Sequence, residues 1–316
     1  MRSVLNYLQD ITQRRLHPPA DPLDPEPQHS QQAPAGDDNE RKKGDPFATR
    51  KVLTKIGSTE YQIVSDDDYL DHIEGEFEPD MARLFDALIK PGDVVLDVGA
   101  NIGCTSILFA GKARRVYSFE PSPTTFRYLE ENLRSARLDN VTAVNIALGK
   151  ENGSQELVFA ANNRSGAFVS EQSTASDGHL VEWIHVMKGD DFVGTHDIPR
   201  VDFIKIDVEG FEKQVIEGLT GTIARDRPAV VLELNHWCLN VFQRMSVPDF
   251  LDFLRAVFPY LYAVEKNDIR NLHDRNEAYH VMYHHIVSGF QYANLIGAFS
   301  VAQLDGLARR FELRIH

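Results

Sequence analysis

The stretch from Asp93 to Gly103, D-V-V-L-D-V-G-A-N-I-G, constrains the fold of this chain more than any other. Val94, Val95 and Leu96 form an apolar run that is too short for a helix and β-branched enough for a buried strand. Asp97 stands where that strand should surface. Gly99, Ala100, Asn101, Ile102 and Gly103 follow as a turn of mostly small residues. Cys104 to Lys112 then reads as a helix with one apolar side. A strand, a glycine turn and a helix make the ligand-binding corner of an open α/β sheet, where ligands sit outside the carboxyl ends of the strands. Glycine in the turn tolerates dihedrals that other residues avoid and lets a ligand approach the backbone.

Two kinds of nucleotide-like cofactor use such a corner. A dinucleotide needs G-x-G-x-x-G with its pyrophosphate on the helix N-terminus. Here Asn101 and Cys104 occupy the second and third glycine positions, which breaks that fingerprint. The pattern that survives, D-x-G-x-N-x-G, puts an acid where a phosphate would be repelled. An acid suits an ammonium-bearing ligand such as the methionine end of S-adenosylmethionine. Arg115 to Phe119 is the next strand pattern, and Glu120 closes it about twenty residues past Gly99. At that distance a carboxylate on the neighbouring strand grips ribose hydroxyls.

The 316 residues could hold one large or two small domains, and at 42% hydrophobic content they can bury a sizeable core. No window approaches eighteen consecutive apolar residues, so no membrane span is expected. The two cysteines, Cys104 and Cys238, have no framework or metal spacing and fit a reducing, cytoplasmic compartment. A net charge of −14 argues against general nucleic-acid binding, which needs a basic footprint.

Residues 1–48 read as a flexible, Pro-rich N-terminal tail. Val4, Leu5, Leu8 and Ile11 give its start a short amphipathic helix pattern. The proline-dense part after His17 is too poor in apolar residues to offset its ordering entropy and is expected to be disordered. Residues 49–90 form a second unit. Lys51–Ile56 and Glu60–Val64 make a hairpin turned at Gly57-Ser58, and Asp80 caps a helix from Met81 to Lys90. This unit is expected to cover the cofactor pocket, with Glu78 reaching into it; the plainer reading of Glu78 is a surface acid. Residues 91–316 form the catalytic domain. Its helix Pro123–Arg137 leads to a third parallel strand, Val141–Ile146, which ends in Ala147-Leu148-Gly149. Hairpins at Glu156–Phe159, Ala167–Ser170 and Val181–Met187 read as an insertion forming a substrate-facing or oligomer surface. Val201–Ile206 and Pro228–Leu234 are the fourth and fifth strands, with D-V-E-G-F-E after one and Asn235-His236 after the other. Val247–Phe258 reads as a helix, Tyr260–Glu265 as a strand and His280–Val287 as a final strand. Alternating strands and helices specify an α/β sheet covered on both faces.

Four blocks together resemble the FkbM-type family of S-adenosylmethionine-dependent methyltransferases. They are G-D-V-V-L-D-V-G-A-N-I-G (Gly92 to Gly103), F-E-P (Phe119 to Pro121), N-I-A-L-G (Asn145 to Gly149) and V-D-F-I-K-I-D-V-E-G-F-E (Val201 to Glu212). The resemblance runs from about Glu78 to Leu234. It implies a class I, Rossmann-like, doubly wound and mostly parallel seven-stranded sheet whose last strand is antiparallel. It also implies methyl transfer, usually to a hydroxyl of a sugar, polyketide or other natural product. Carried over by position, Asp97, Gly99, Ala100, Asn101 and Gly103 match the cofactor loop, Glu120 the ribose acid and Ala147 the segment near the adenine. Asp207 and Glu209 match the block over the transferred methyl group.

Methyl transfer from a sulfonium is an in-line displacement that needs acceptor and methyl held in near-attack geometry. A hydroxyl acceptor also needs a base within hydrogen-bond reach. His236 or Asp207 is the expected base, with Glu209 orienting the acceptor. The plainer readings are a helix cap for Asp207, a lysine partner for Glu209 and a packed surface position for His236. A divalent ion held by Asp207, Glu209 and His236 is the other route to an activated hydroxyl, but no dense ligand cluster supports it. The run His280, His284 and His285 reads as two faces of a strand rather than a metal tract. Two other readings stay open: a non-catalytic cofactor-binding protein of the same fold, and an N-methyltransferase. An NAD-dependent oxidoreductase is opposed by the broken glycine fingerprint.

Overall fold

A computed structural model describes residues 49–160, 163–169 and 179–310. The N-terminal tail read from sequence therefore lies outside the described residues. In chain order the strands are β1 (Arg50–Ile56), β2 (Thr59–Ser65), β3 (Gly75–Glu76), β4 (Val94–Val98), β5 (Arg115–Phe119), β6 (Val141–Val144), β7 (Ala147–Gly149), β8 (Gly153–Ala160), β9 (Asn163–Val169), β10 (His179–Lys188), β11 (Phe203–Ile206), β12 (Ala229–Glu233), β13 (Tyr260–Glu265), β14 (Asp268–Asn271) and β15 (Asn294–Ala298). Eight of them form the main sheet, in the order β14-β13-β15-β12-β11-β4-β5-β6. The five strands from β12 to β6 run parallel, and β15 pairs antiparallel with both β12 and β13. This is the class I arrangement, with one strand more than the seven expected. The hairpin partner β14, closed on β13 from Glu265↔Asp268 to Tyr262↔Asn271, is the addition.

From β4 the chain builds outward through β5 and β6, then returns to lay β11 on the other side of β4. The strand order thus reverses between β4 and β11, where a crevice must open at the carboxyl ends. All five residues of β4 are buried, as a central strand covered on both faces requires. Leu96, Ile204, Ile206 and Leu232 pack toward one layer; Val95, Phe203 and Val231 pack toward the other. The helix Pro79–Leu88 closes the second layer through Leu84, Phe85 and Leu88.

The hairpin expected near residues 51–64 is β1–β2, turned at Gly57-Ser58 and joined by β3. Its apolar face packs on Ile102, Ile107, Leu129 and Leu133 of the main domain. Several expectations need correction. The helix expected from Met81 begins at Pro79 with Glu78 at its cap, and Asp80 sits in the first turn in an ion pair with Arg83. Proline preset for a first helical turn explains the earlier start. Ala147–Gly149 does not extend β6; it leaves the main sheet to pair with β10, in a second sheet of order β7-β10-β8-β9. That insertion is not merely a surface, because Leu157, Phe159, Ile184 and Val186 join the main core. His280–Val287 belongs to the helix Arg275–Val287, not to a strand. Asp274 caps that helix by accepting from the Asn276 and Glu277 amides, and Ala278, Val281 and His285 bury one helical face. The antiparallel last strand is β15 instead. Among the described residues, no helix is long and apolar enough to cross a membrane.

Candidate active site

The cleft opens at the predicted corner. The β4–helix turn begins at Gly99, whose φ is +81°, and a Cβ there would meet the Asp207 carbonyl oxygen at 1.8 Å. Only glycine lets the loops after β4 and β11 lie this close. The Gly99 and Ala100 amides donate to the Phe119 carbonyl at 3.1 and 2.9 Å, which ties the turn to β5. Register then fixes what faces the cleft. Lys205 pairs with Asp97 across β11–β4, Ile206 pairs with Leu232 across β11–β12, and Glu233 pairs with Asn294 across β12–β15. One step past Ile206 and Leu232, Asp207 stands opposite Glu233. Gly99, Asp207, Glu233 and Asn294 consequently form a row across four strand ends, and all four line the cleft.

Lys205 organises the floor. It is almost wholly buried and donates to the Gly99 carbonyl at 2.7 Å. Its ammonium lies 3.5 Å from Asp97 and 3.4 Å from Asp207. Burial disfavours its charge, yet the Asp207 and Asp97 carboxylates outweigh this and raise its pKa. Asp97 is fully buried beneath, where its Oδ2 accepts from the Thr105 and Ser106 hydroxyls at 2.8 and 2.6 Å. Asp207 is 45% exposed at the cleft. The surrounding protein opposes its ionisation, but Lys205 prevails and holds the carboxyl below its ordinary range.

Around this ion pair stand acids whose charge the protein disfavours. Glu120 accepts from the Asn101 amide at 3.0 Å and the Ser122 amide at 2.9 Å, while burial pushes its pKa to about 7. Glu209 accepts from Asn235 at 2.9 Å and from the Cys238 thiol at 3.3 Å. Burial and then the Asp207 charge raise it to about 7. Glu233 is raised well above its ordinary value by burial and then by Asp207. Burial likewise raises Glu78. Glu78, Asn101 and Glu209 adopt φ of 29°, 50° and 50°, so three non-glycine residues of the cleft sit in the left-handed region. Strained backbone of this kind concentrates at functional sites.

The structure brings Glu78, Gly99, Ala100, Asn101, Glu120, Ala147, Asp207 and Glu209 to one cleft. It does not bring the other three expected residues there. Asp97 lies below the floor, bound to Lys205 and to the start of the following helix. Gly103, at φ +98°, faces Leu129, whose Cδ1 a Cβ would meet at 2.7 Å; its smallness serves helix packing. His236 is the first residue of the helix His236–Phe242, because Asn235 caps that helix by accepting from the Cys238 amide at 3.1 Å. Its ring packs against Phe290 and His285, with centroids 4.6 and 4.9 Å away. Lys205 and Glu233 are the residues sequence reading passed over. Tyr69, Phe77 and Met81 from the N-terminal unit and Leu157, Ala167 and Val169 from the second sheet complete the walls. Among the described residues, no group of three or more histidines, cysteines and acids is arranged to hold a metal ion.

The donor set suits one kind of ligand. Five carboxyl groups line the cleft, and its lysine is already held by Asp97 and Asp207, a set that favours a cation over a phosphate. Glu120 can accept from hydroxyls, and Phe119, Ile146 and Leu157 offer apolar contact for a flat ring. A nucleoside carrying a positive centre fits these features, and S-adenosylmethionine is such a molecule.

Comparison with known proteins bears on the same segment. A family model described as the methyltransferase FkbM domain matches residues 97–261, just over half of the chain. A hexuronic acid methyltransferase, AglP, of Haloferax volcanii is 32% identical over 146 residues, covering 46% of this chain and 58% of that protein. The 31-O-demethyl-FK506 methyltransferase FkbM of Streptomyces tacrolimicus is 28% identical over 161 residues, covering 42% of this chain and 61% of that one. A tRNA (guanine(37)-N(1))-methyltransferase, Trm5b, of Pyrococcus abyssi is 35% identical over only 79 residues, 24% of each chain. The similarity thus spans less than two thirds of each of these relatives.

Proposed function

This chain belongs to the methyltransferase FkbM family, and from that premise we propose that it methylates a hydroxyl oxygen on a sugar, polyketide or other small natural-product acceptor. The family's cofactor is S-adenosylmethionine, which when bound supplies an electrophilic methyl group on a positively charged sulfur. Glu120 would take the ribose hydroxyls, with Ala147 and its apolar neighbours beside the adenine. Gly99, Ala100 and Asn101 would let the backbone approach the amino-acid end, and Glu78 would face it from the opposite wall. Asp97 would act from below, through Lys205, by fixing the Gly99 carbonyl.

The observation that carries the reading is Asp207. It is an ionised carboxylate at the central strand end, open to the cleft and pinned by Lys205 at 3.4 Å. A group in that state can accept the proton of an acceptor hydroxyl as the oxygen attacks. Glu209, held by Asn235 and Cys238, would orient the acceptor. The relatives with hexuronic acid and 31-O-demethyl-FK506 in their names support acceptors of this class.

The test is calorimetric titration with S-adenosylhomocysteine beside an NAD control, followed by methyl transfer from labelled S-adenosylmethionine to a panel of acceptors. The panel holds sugars, uronic acids, polyketide alcohols, amines and tRNA, each assayed with and without EDTA. Binding of S-adenosylhomocysteine with label on an ether oxygen is the expected result. Absence of binding, or label only on nitrogen or on tRNA, would overturn the proposal.

A further inference from the structure

The row across the sheet places a second acid against Asp207, and it has no part in the reaction as described so far. Ile206 and Leu232 are register partners on parallel strands, so Asp207 and Glu233 emerge side by side about 4.8 Å apart along the sheet. Side chains alternate along a strand, so Lys205 and Asp207 share a face, and so do Val231 and Glu233. Both carboxyl groups line the cleft, close enough for one to donate a proton to the other. Two carboxylates this close cannot both ionise freely. Lys205 lies 3.4 Å from Asp207 and forms no ion pair with Glu233 among the described residues. The negative charge therefore belongs on Asp207 and the proton on Glu233.

We propose that Glu233 is a positioning acid of the methyl-transfer site, sharing its single proton with Asp207 and aiming that carboxylate at the acceptor. This deepens the methyltransferase reading and rests on it. In the step it supports, the acceptor O–H bond breaks and its proton passes to Asp207. The oxygen forms its bond to the methyl carbon, and the bond from that carbon to sulfur breaks with its electron pair left on sulfur. Glu233 keeps its own proton throughout, and its hydrogen bond holds one Asp207 oxygen so that the other faces the cleft. The groups facing the pair are Lys205 behind it, Glu209 on the following loop, Glu78 from the N-terminal unit and the neutral Asn294 beyond. Burial and the Asp207 charge both keep Glu233 protonated.

Because Glu233 keeps its proton, a cation delivered beside the pair should draw no proton from it. The experiment is calorimetry of S-adenosylmethionine and S-adenosylhomocysteine at pH 7 in buffers of different ionisation heat, which counts protons released on binding. Any excess that the sulfonium ligand releases over the thioether then comes from the other acids of the cleft, Glu120 and Glu209. Glu233→Gln keeps a donor to Asp207 and should leave that excess unchanged, with S-adenosylhomocysteine binding as its check of folding. Glu233→Leu is the second variant: it removes the donor that aims Asp207, so methyl transfer should fall about tenfold or more while Glu233→Gln stays near wild type. An excess that shrinks in Glu233→Gln, or methyl transfer equally impaired in both variants, would overturn the proposal. Failure of both ligands to bind the wild type would instead sink the methyltransferase reading and the proposal with it.

Discussion

Glu212 gives the most quantitative test of how this fold treats buried charge. It opens the helix Glu212–Gly218, is fully buried, and its Oε1 accepts from the Gly210 amide at 3.1 Å. Its Oε2 has no partner. Burial therefore pushes the carboxyl from 4.5 to about 8, although the backbone amides pull the other way. A raised carboxyl binds its proton more tightly folded than unfolded. Its contribution to stability is whole below pH 4.5 and is lost as the pH climbs toward 8. Between pH 5 and pH 7 that loss comes to about 2.5 kcal/mol. Glu212→Gln keeps the acceptor for Gly210 but cannot titrate, and its amide nitrogen adds a pH-independent penalty of about 1–2 kcal/mol for an unpaired buried donor. Urea denaturation of both proteins at pH 5, 6, 7 and 8 and constant ionic strength measures the difference. The variant should gain on the wild type at every step, by about 2.5 kcal/mol from pH 5 to 7. A difference that stays flat across the range would refute the reasoning, because it would mean that Glu212 ionises alike in both states.

Three further outcomes follow from the site. Gly99→Ala drives a Cβ into the Asp207 carbonyl at a backbone angle that alanine avoids, and should weaken S-adenosylhomocysteine binding at least tenfold by calorimetry. Lys205→Met leaves Asp97 buried without its counter-ion and should cost about 3–5 kcal/mol in urea unfolding; an unchanged midpoint would contradict the role given to Lys205. His285 is fully buried and lowered by burial from 6.5 to about 4. A lowered histidine stabilises fully above pH 6.5 and loses that contribution as the pH falls toward 4, here about 3 kcal/mol. His285→Gln should therefore flatten the acid limb of the stability profile, and a limb of unchanged steepness would count against it.

How much of this was legible depended on what each residue type reveals locally. The corner at Asp97–Gly103 and the closing acid Glu120 could be read because a short apolar run, a glycine turn and a fixed interval specify a βαβ unit without tertiary knowledge. The extra strand β14 could not, because Asp268–Asn271 has a polar sequence and is a strand only through its pairing with β13. The histidines at 280, 284 and 285 were misassigned for a related reason. Over so short a window their alternation with Val281 and Tyr283 imitates a strand, and only the Asp274 cap and burial at Ala278, Val281 and His285 reveal the helical period.

Lys205 and Glu233 carried a signal that went unused. Each is the single charge of an otherwise apolar central strand, Lys205 within F-I-K-I and Glu233 at the end of A-V-V-L-E. Parallel strands at the middle of such a sheet are covered on both faces, so a charge within one must find an opposite charge or give up its own. Lys205 takes the first course, between Asp97 and Asp207, and Glu233 takes the second by holding its proton against Asp207. His236 shows the opposite failure. Being next to a strand end suggested the cleft, but the Asn235 cap turns the chain into a helix at that residue and carries the imidazole to Phe290. Strand ends therefore point to this cleft only where the side chain stays in register with its neighbours across the sheet, as Asp207, Glu233 and Asn294 do. That criterion puts proton acceptance on Asp207, with Glu233 beside it, and leaves His236 to packing. His236→Phe should accordingly leave methyl transfer within about threefold of wild type, less than 1 kcal/mol of barrier. Asp207→Asn should lower it by the hundredfold or more expected of a lost general base. If the two variants were equally impaired, the histidine would have to reach the acceptor after all, and the register argument would fail.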